Sequence, residues 1–139
     1  MQSSKSPRRS LAPITLFAVL LCVAFSGTSD AAGAHRTWTQ FDASEQGAFY
    51  FDQTTIKRRG HGLQVWAAWE PARTYYADGQ RVQRVEVMHV MDCAHRNVVY
   101  ARQHFFDADG RQIARLLSKE RMSIASDSLG AVVFEAFCK

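Results

Sequence analysis

The amino-acid sequence predicts an α+β protein, in which an antiparallel sheet of about six strands precedes a C-terminal helix. After residue 35, turn-forming residues recur about every ten positions, which is typical of a meandering antiparallel sheet. Between these turns apolar and polar residues alternate, as they do in a strand that has one buried face. The last segment repeats its apolar residues at helical spacing instead.

Six segments show the strand pattern. In the third segment, Leu63 and Val65 point to one face of the sheet and Gln64 points to the other. In the fourth segment, Val85 alternates with Arg84 in the same way. The predicted strands cover residues 38–41, 48–52, 63–70, 82–92, 97–106 and 111–118.

Residues with known turn chemistry mark the ends of these strands. The Asp52 carboxylate and the hydroxyl groups of Thr54 and Thr55 can bond back to the nearby backbone, which ends the second strand. Pro71 ends the third strand, because proline lacks the N–H group that a central strand uses. The segment 107–110 resembles a fragment of a calcium loop but lacks its third oxygen ligand and its distal glutamate, so a tight turn is predicted there.

The C-terminal segment allows two interpretations. Its apolar residues between Leu129 and Phe137 follow the i, i+3, i+4, i+7 and i+8 stripe of an amphipathic helix, and Ser128 can cap that helix. This local pattern favours the helix. The alternative is a strand, one face of which would consist of Val132, Phe134, Ala136 and Cys138.

Residues 1–34 are predicted to be a signal peptide. Basic residues precede an apolar run over residues 11–25, and small residues at 32–34 suit signal peptidase. A membrane anchor is the alternative, but a run of about 15 residues is short for a hydrocarbon core of about 30 Å. We therefore expect export, with a mature domain at residues 35–139 that contains no membrane span.

Charge and length exclude several classes of protein. The formal charge of +4 falls to near balance over residues 35–139, which hold 14 basic and 12 acidic side chains. A strongly basic nucleic-acid-binding protein is therefore not expected. A chain of 139 residues is also too short for a large multi-domain enzyme.

Two of the three cysteines lie in the predicted mature domain. Cys22 lies in the signal peptide after Leu21, where lipoprotein processing requires a small residue, so no lipid anchor is expected. Cys93 and Cys138 are predicted to form a disulfide, because the exported compartment is oxidising. The alternatives are a nucleophilic thiol and a metal site that combines Cys93 with His95.

Two surfaces are candidates for binding a partner. A disulfide to Cys138 would hold the helix across the apolar face of the sheet and leave the other face open, with Met88, Val90 and Trp66 on it. An open apolar face suggests pairing with a second subunit or another protein. The second candidate is a basic turn that could bind an acidic glycan, protein or lipid, unless it is a solvated hairpin turn. Its residues are Lys57, Arg58, Arg59 and His61.

Catalytic and cofactor motifs are missing from the sequence. It has no Gly-x-Ser-x-Gly elbow, no phosphate-binding glycine loop and no His-Glu-x-x-His pair. The spacing of its histidines is poor for a zinc site. We therefore expect a protein that is not an enzyme and that has no cofactor or metal. The five histidines are His35, His61, His89, His95 and His104.

Several short motifs follow one another along the predicted mature domain: Trp38, Phe49-Tyr50-Phe51-Asp52, Thr55-Ile56, Val65-Trp66, Asp92-Cys93 and the segment 124–138. In order and spacing they resemble the surface-adhesin protein E family of small exported bacterial proteins, over about residues 37–138. The resemblance implies a six-stranded antiparallel sheet with a C-terminal helix tied to it by a disulfide, often in a dimer. It thereby favours the helix at 126–137.

The resemblance also implies a non-enzymatic role, the binding of host matrix and serum proteins such as vitronectin, laminin and plasminogen. The functional hypothesis is thus an exported, adhesin-like module that acts through a sheet surface or as a dimer. The alternative is a soluble periplasmic envelope protein with a structural or accessory role and no host ligand. The sequence leaves open whether the protein lies in the periplasm or at the outer surface.

Overall fold

The structure, a computed structural model, describes residues 36–139, so the predicted signal peptide lies outside the described residues. The described part of the chain contains ten strands, one α-helix and a 3-10 turn at Gln53–Thr55. The strands and the α-helix are β1 (Trp38–Ser44), β2 (Gly47–Asp52), β3 (Lys57–Arg59), β4 (Gly62–Pro71), β5 (Tyr75–Ala77), β6 (Gln80–Val82), β7 (Arg84–Asp92), β8 (Asn97–Phe106), β9 (Gln112–Leu117), β10 (Met122–Ser123) and α1 (Leu129–Phe137). No helix within these residues is long and apolar enough to cross a membrane.

The main sheet is antiparallel and has eight strands rather than the predicted six. Its order runs β1-β2-β4-β7-β8, with β3 paired to β4 and both β9 and β10 paired to β8. β2 and β3 share one edge of β4, and β9 and β10 share one edge of β8, so the eight strands occupy six positions across the sheet. The predicted count was wrong because two of these positions are each divided between two strands.

The break between β2 and β3 has a side-chain cause. Asp52 is buried, and its carboxylate accepts hydrogen bonds from the backbone and hydroxyl groups of Thr54 at 2.9 and 2.6 Å. The Thr55 hydroxyl donates to the Asp52 carbonyl and accepts the Trp66 N–H at 3.0 Å. Thr55 therefore satisfies a backbone donor of β4 at the point where β2 has ended.

A separate two-stranded hairpin, β5–β6, interrupts the predicted fourth strand. This strand was predicted over residues 82–92, but Val82 belongs to β6 and the long strand β7 begins at Arg84. The hairpin folds over one end of the sheet, where Val82 and Ala77 pack against the apolar residues of the sheet. The break leaves a trace in the sequence, because Val82 and Val85 are three positions apart and cannot lie on the same face of one continuous strand.

The C-terminal segment is a helix, and it lies across the apolar face of the sheet. The Ser128 hydroxyl accepts the Ala131 N–H at 3.2 Å and caps the helix. Cys138, at the end of the helix, is bonded to Cys93 after β7, 45 residues earlier. Val133 is fully buried against a cluster of sheet residues: Leu63, Val65, Ala67, Met91 and Val98.

The two faces of the sheet differ in what lies on them. Helix α1 and the β5–β6 hairpin both cover one face, which is called the covered face below. Because side chains alternate along a strand, the residues between those of the covered face point to the opposite, uncovered face. The uncovered face carries Gln64, Trp66, Ala68 and Glu70 from β4 and Arg84, Glu86, Met88 and Val90 from β7.

Candidate functional site

The structure divides the basic turn predicted as a binding site. Lys57 and Arg59 are exposed and pair with Gln64 and Gly62, so they lie on the side of the uncovered face. His61 is exposed in the turn between β3 and β4. Arg58 lies between Lys57 and Arg59 on β3 and pairs with Leu63, so it lies on the side of the covered face.

Arg58 is bound to the end of the helix. Its Nη2 donates to the carbonyl oxygen of Phe137 at 2.7 Å. The C-terminal carbonyl groups of a helix lack partners within the helix and carry partial negative charge, so a guanidinium there is stabilising. Arg58 thus has a structural contact, and three side chains of the predicted site remain directed to solvent.

We expect Arg58→Ser to lower the free energy of unfolding by about 1 kcal/mol, because the substitution removes this bond and its charge. Urea denaturation of the oxidised protein would measure the loss. Lys57→Ser is the matched control, since Lys57 is a basic neighbour on the same short strand and is exposed. Equal stability of the Arg58 and Lys57 variants would contradict the structural role of Arg58.

The histidines considered for a metal site lie apart. His89 is fully buried on the covered face, whereas His104 packs against Trp66 on the other face, with 5.3 Å between ring centroids. His95 is exposed, and its Nδ1 lies 2.8 Å from the Asp92 carboxylate. That hydrogen bond lowers the pKa of Asp92. No three potential metal ligands come together within residues 36–139.

The centre of the uncovered face is a network of arginine, glutamate and aromatic side chains. Arg84 Nη1 donates to Glu70 at 2.9 Å, and Arg84 Nε lies 3.3 Å from Glu86. The Arg84 guanidinium also lies over the rings of Trp38 and Tyr50, at 4.6 and 5.3 Å from their centroids. The Arg84 guanidinium is therefore paired with two carboxylates and makes cation–π contacts with two aromatic rings.

Tyr50 and Arg36 extend this network on either side. The Tyr50 hydroxyl donates to Glu70 at 3.0 Å, and burial followed by this bond raises the pKa of Tyr50. Arg36 Nε donates to Glu86 at 3.3 Å, while its guanidinium lies 3.7 Å from the centroid of the Trp66 ring. Trp66, with Arg36 over its ring and His104 beside it, is only 7 % exposed, although the sequence predicted an open position.

Basic side chains surround His104, which is half-buried beside Trp66. Burial lowers the pKa of His104 most, and the positive charges of Arg36, Arg115 and Arg102 lower it further. Arg115 lies directly opposite His104 in the sheet, and Arg102 lies opposite Met88. Burial and the surrounding positive charge together disfavour the protonated form of this imidazole.

Exposed apolar residues lie beside the basic ones. Val90 is 39 % exposed and pairs with Val99, and Leu117 is 66 % exposed and pairs with Arg102. The rim of the uncovered face therefore combines apolar contact area with guanidinium groups. This mixture is common at protein-binding surfaces.

A groove of about 610 Å³ lies on the covered face. Its walls include Tyr75 of β5 and Leu129 of α1, and Phe49 and Trp69 contribute apolar surface. The groove marks the gap between the hairpin and the helix, which together cover this face. Charged residues of both signs also line the groove: Glu45, Arg73 and Asp127.

The profile of one protein family, described as surface-adhesin protein E, matches residues 38–139. The chain belongs to the surface-adhesin protein E family. The match spans β1 to the last residue after α1, and so includes both the covered and the uncovered face. No curated protein matches the chain.

Solved structures of Haemophilus influenzae protein E are similar to this chain. One, from a non-typeable strain, is 16% identical with a TM-score of 0.47, and the alignment covers 71% of this chain and 74% of that one. A selenomethionine form is 16% identical with a TM-score of 0.49, covering 71% of this chain and 84% of that one. A third is 15% identical with a TM-score of 0.47, covering 73% and 83%.

The residues that carried the resemblance to the protein E family divide between structural positions and the uncovered face, where Trp38, Tyr50 and Trp66 lie. Asp52 and Thr55 organise the break between β2 and β3, and Cys93 holds the disulfide. Two residues at the centre of the uncovered face, Arg36 and Arg84, were not predicted as site residues. The alternation along β7 placed Arg84 on this face, but no signal in the sequence linked Arg36 to Trp66.

Proposed function

We propose that residues 35–139 of this family member form an exported, non-enzymatic module that binds a protein ligand through the uncovered face. Membership of the surface-adhesin protein E family supports an adhesin-like role at the cell surface. The signal-peptide pattern of residues 1–34 supports export. A matrix or serum protein is the class of ligand that this role implies.

The observation that carries the proposal is the arginine–aromatic network on the uncovered face. Arginine, tryptophan and tyrosine are the residues most enriched among the energetic hot spots of protein interfaces. Here Trp38 and Tyr50 are held by Arg84, which is itself fixed between Glu70 and Glu86. A surface that is already ordered loses less conformational entropy when it binds.

The charge on this face indicates the chemistry of the ligand. Glu70 and Glu86 both form ion pairs with arginine, so they contribute little free negative charge. Among the described residues, neither Arg102 nor Arg115 takes part in an ion pair. The rim is therefore positive, and it complements a ligand surface that is acidic with apolar residues beside the acidic ones.

Reversing the charge of the rim is expected to weaken ligand binding by about tenfold or more. The variant is Arg102→Glu with Arg115→Glu, both on exposed side chains, so that the fold is preserved. Binding to immobilised vitronectin and laminin would be measured by interferometry at two salt concentrations. Because the lost contacts are between exposed charges, the difference should shrink at high salt.

Arg81→Glu is the control for this experiment, and it is compared with the single variant Arg102→Glu because each reverses one charge. Arg81 is also exposed but belongs to the β5–β6 hairpin, which packs on the covered face. Its substitution should leave binding unchanged. Equal losses in the two variants would show an effect of net charge alone, and no loss in either would exclude the uncovered face as the binding surface.

The location of the protein separates adhesion from a periplasmic role. Intact cells would be treated with protease, and this protein would be followed beside a periplasmic marker. Selective loss supports surface display, whereas protection equal to that of the marker supports the periplasmic alternative.

Sedimentation of residues 35–139 with and without Val90→Asp would show whether the uncovered face also joins two copies.

We further propose that the exposed part of the basic turn binds acidic glycans. Lys57→Ser with Arg59→Ser is expected to elute from immobilised heparin at lower salt than the unchanged protein, because two cationic contacts are lost. His61 and Arg58 stay in place in this variant, so the helix contact of Arg58 is kept. Unchanged retention on heparin would rule out this use of the turn.

A further inference from the structure

We infer that the uncovered face contains a binding site for an arginine side chain, formed by the Trp66 ring and the Glu86 carboxylate, which Arg36 occupies in this structure. The inference rests on the proposed function, since it names a ligand group for the same face. An arginine supplied by a protein ligand would replace Arg36 there.

The contacts of Arg36 define the chemistry of the site. Its guanidinium lies over the Trp66 ring, with Cζ 3.7 Å from the ring centroid, while Nε donates to Glu86 at 3.3 Å. A planar guanidinium can stack on a ring and donate from its edge at the same time. The ammonium group of lysine has no planar face to stack, so the site should prefer arginine to lysine.

The walls of the site are held without Arg36. Glu86 forms an ion pair with Arg84, whose Nε lies 3.3 Å from its second oxygen. Arg84 is fixed in turn by Glu70 at 2.9 Å. Trp66 belongs to the central strand β4 and packs against His104. Removal of the Arg36 side chain would therefore leave the ring and the carboxylate in position.

Arg36 is attached to this face through its side chain. The pairing of β1 with β2 begins at Trp38, so Arg36 precedes the first ladder position. Its side chain makes a cation–π contact with Trp66 and a hydrogen bond to Glu86. In the proposed exported chain it would be the second residue. A residue next to a chain end can leave its site at little cost to the sheet.

His104 provides a second measure of occupancy. Burial and the charges of Arg36, Arg115 and Arg102 lower its pKa, and Glu86 lies opposite it on β7. Loss of the Arg36 charge should raise the pKa of His104. A bound arginine ligand should lower the pKa again, whereas a ligand that binds elsewhere should not.

The test uses residues 35–139 with Arg36→Ala and N-acetyl-arginine amide as the probe. The readout is the NMR shift of the Trp66 indole N–H, assigned among the three tryptophans by single Trp→Phe variants. We expect saturable binding in the millimolar range. The unchanged protein should bind the probe about tenfold more weakly or worse, because Arg36 competes as a tethered group.

Three controls make the result specific. N-acetyl-citrulline amide has the shape of the probe without its charge and should give no saturable shift. N-acetyl-lysine amide should bind at least about threefold more weakly, because it cannot stack and donate together. Glu86→Gln added to Arg36→Ala should abolish binding. Unchanged indole signals of Trp38 and Trp69 would show that each variant is folded.

Two outcomes would overturn the inference. One is no saturable shift in a folded Arg36→Ala variant, and the other is equal binding of the probe with and without Arg36. Either result leaves the proposed function standing if Arg102→Glu with Arg115→Glu still weakens the binding of the protein ligand. If N-acetyl-arginine amide binds as expected but no protein ligand binds to the uncovered face, the proposed function alone is refuted.

Discussion

Replacing Cys93 and Cys138 together by serine is expected to lower the free energy of unfolding by about 4 kcal/mol. The disulfide joins residues that are 45 positions apart, and closing a loop of this length removes much conformational freedom from the unfolded chain. Denaturation of residues 35–139 by urea would measure the difference. A loss of this size is a large share of the stability of a small domain.

The expected loss is large here because the helix depends on the bond. Helix α1 has nine residues, and a helix of this length is not stable alone in water. It is held by the burial of Val133 and Phe134 against the sheet and by the disulfide at its last turn. Without the bond, packing of these two side chains must hold the helix against its own tendency to unfold.

The reduced form of the unchanged protein is the control. It has the same side chains as the oxidised form and should unfold at nearly the same urea concentration as the double serine variant. A loss below about 1 kcal/mol in both would show that packing alone holds the helix and would contradict the entropic argument. A loss in the variant but not in the reduced protein would point to an effect of the serine side chains.

The sequence predicted the long strands well because each has a buried face. In β4 and β7 the covered face is apolar almost throughout, although β4 also has Trp66 and Ala68 buried on the other face. The short strands β3 and β10 were missed because they lack a buried face. All their residues are exposed, so burial imposes no pattern on them.

The site was less predictable, because its contacts join residues that are distant in sequence. Arg58 and Phe137 are 79 positions apart, and Arg36 and Glu86 are 50 apart. Alternation assigns a side chain to a face of the sheet but does not say what lies over it. Trp66 was therefore placed on the right face, while its cover by Arg36 was not foreseen.

Acidification from pH 7 to pH 4 is expected to destabilise the protein by about 3 kcal/mol through His89. This side chain is fully buried on the covered face, where Nδ1 donates to the Val87 carbonyl at 3.1 Å and Nε2 has no partner among the described residues. Burial lowers the pKa of His89 to about 4. The bond to Val87 opposes this shift only in part.

Acidification lowers the free energy of unfolding because the unfolded chain binds a proton at a higher pH than folded His89 does. A histidine in the unfolded state has a pKa near 6.5, so below that pH it is protonated while folded His89 stays neutral until about pH 4. The free energy of unfolding therefore falls by about 1.4 kcal/mol per pH unit across this window and is constant above it. Urea denaturation at several pH values between 7 and 4.5 would measure the slope.

His89→Gln is the informative variant, because a glutamine amide can still donate to the Val87 carbonyl but does not titrate. Its stability at pH 7 will change with packing, so the comparison is between slopes rather than between absolute values. His104 also has a lowered pKa, and His104→Gln measures its share of the same window. Hydrogen bonds lower the pKa values of Asp92 and Asp107, so their stabilising contribution is lost as the pH falls through the unfolded-state value of about 3.9, at the acid end of this range. A His89→Gln variant with the slope of the unchanged protein would show that the buried imidazole does not govern the acid stability of this fold.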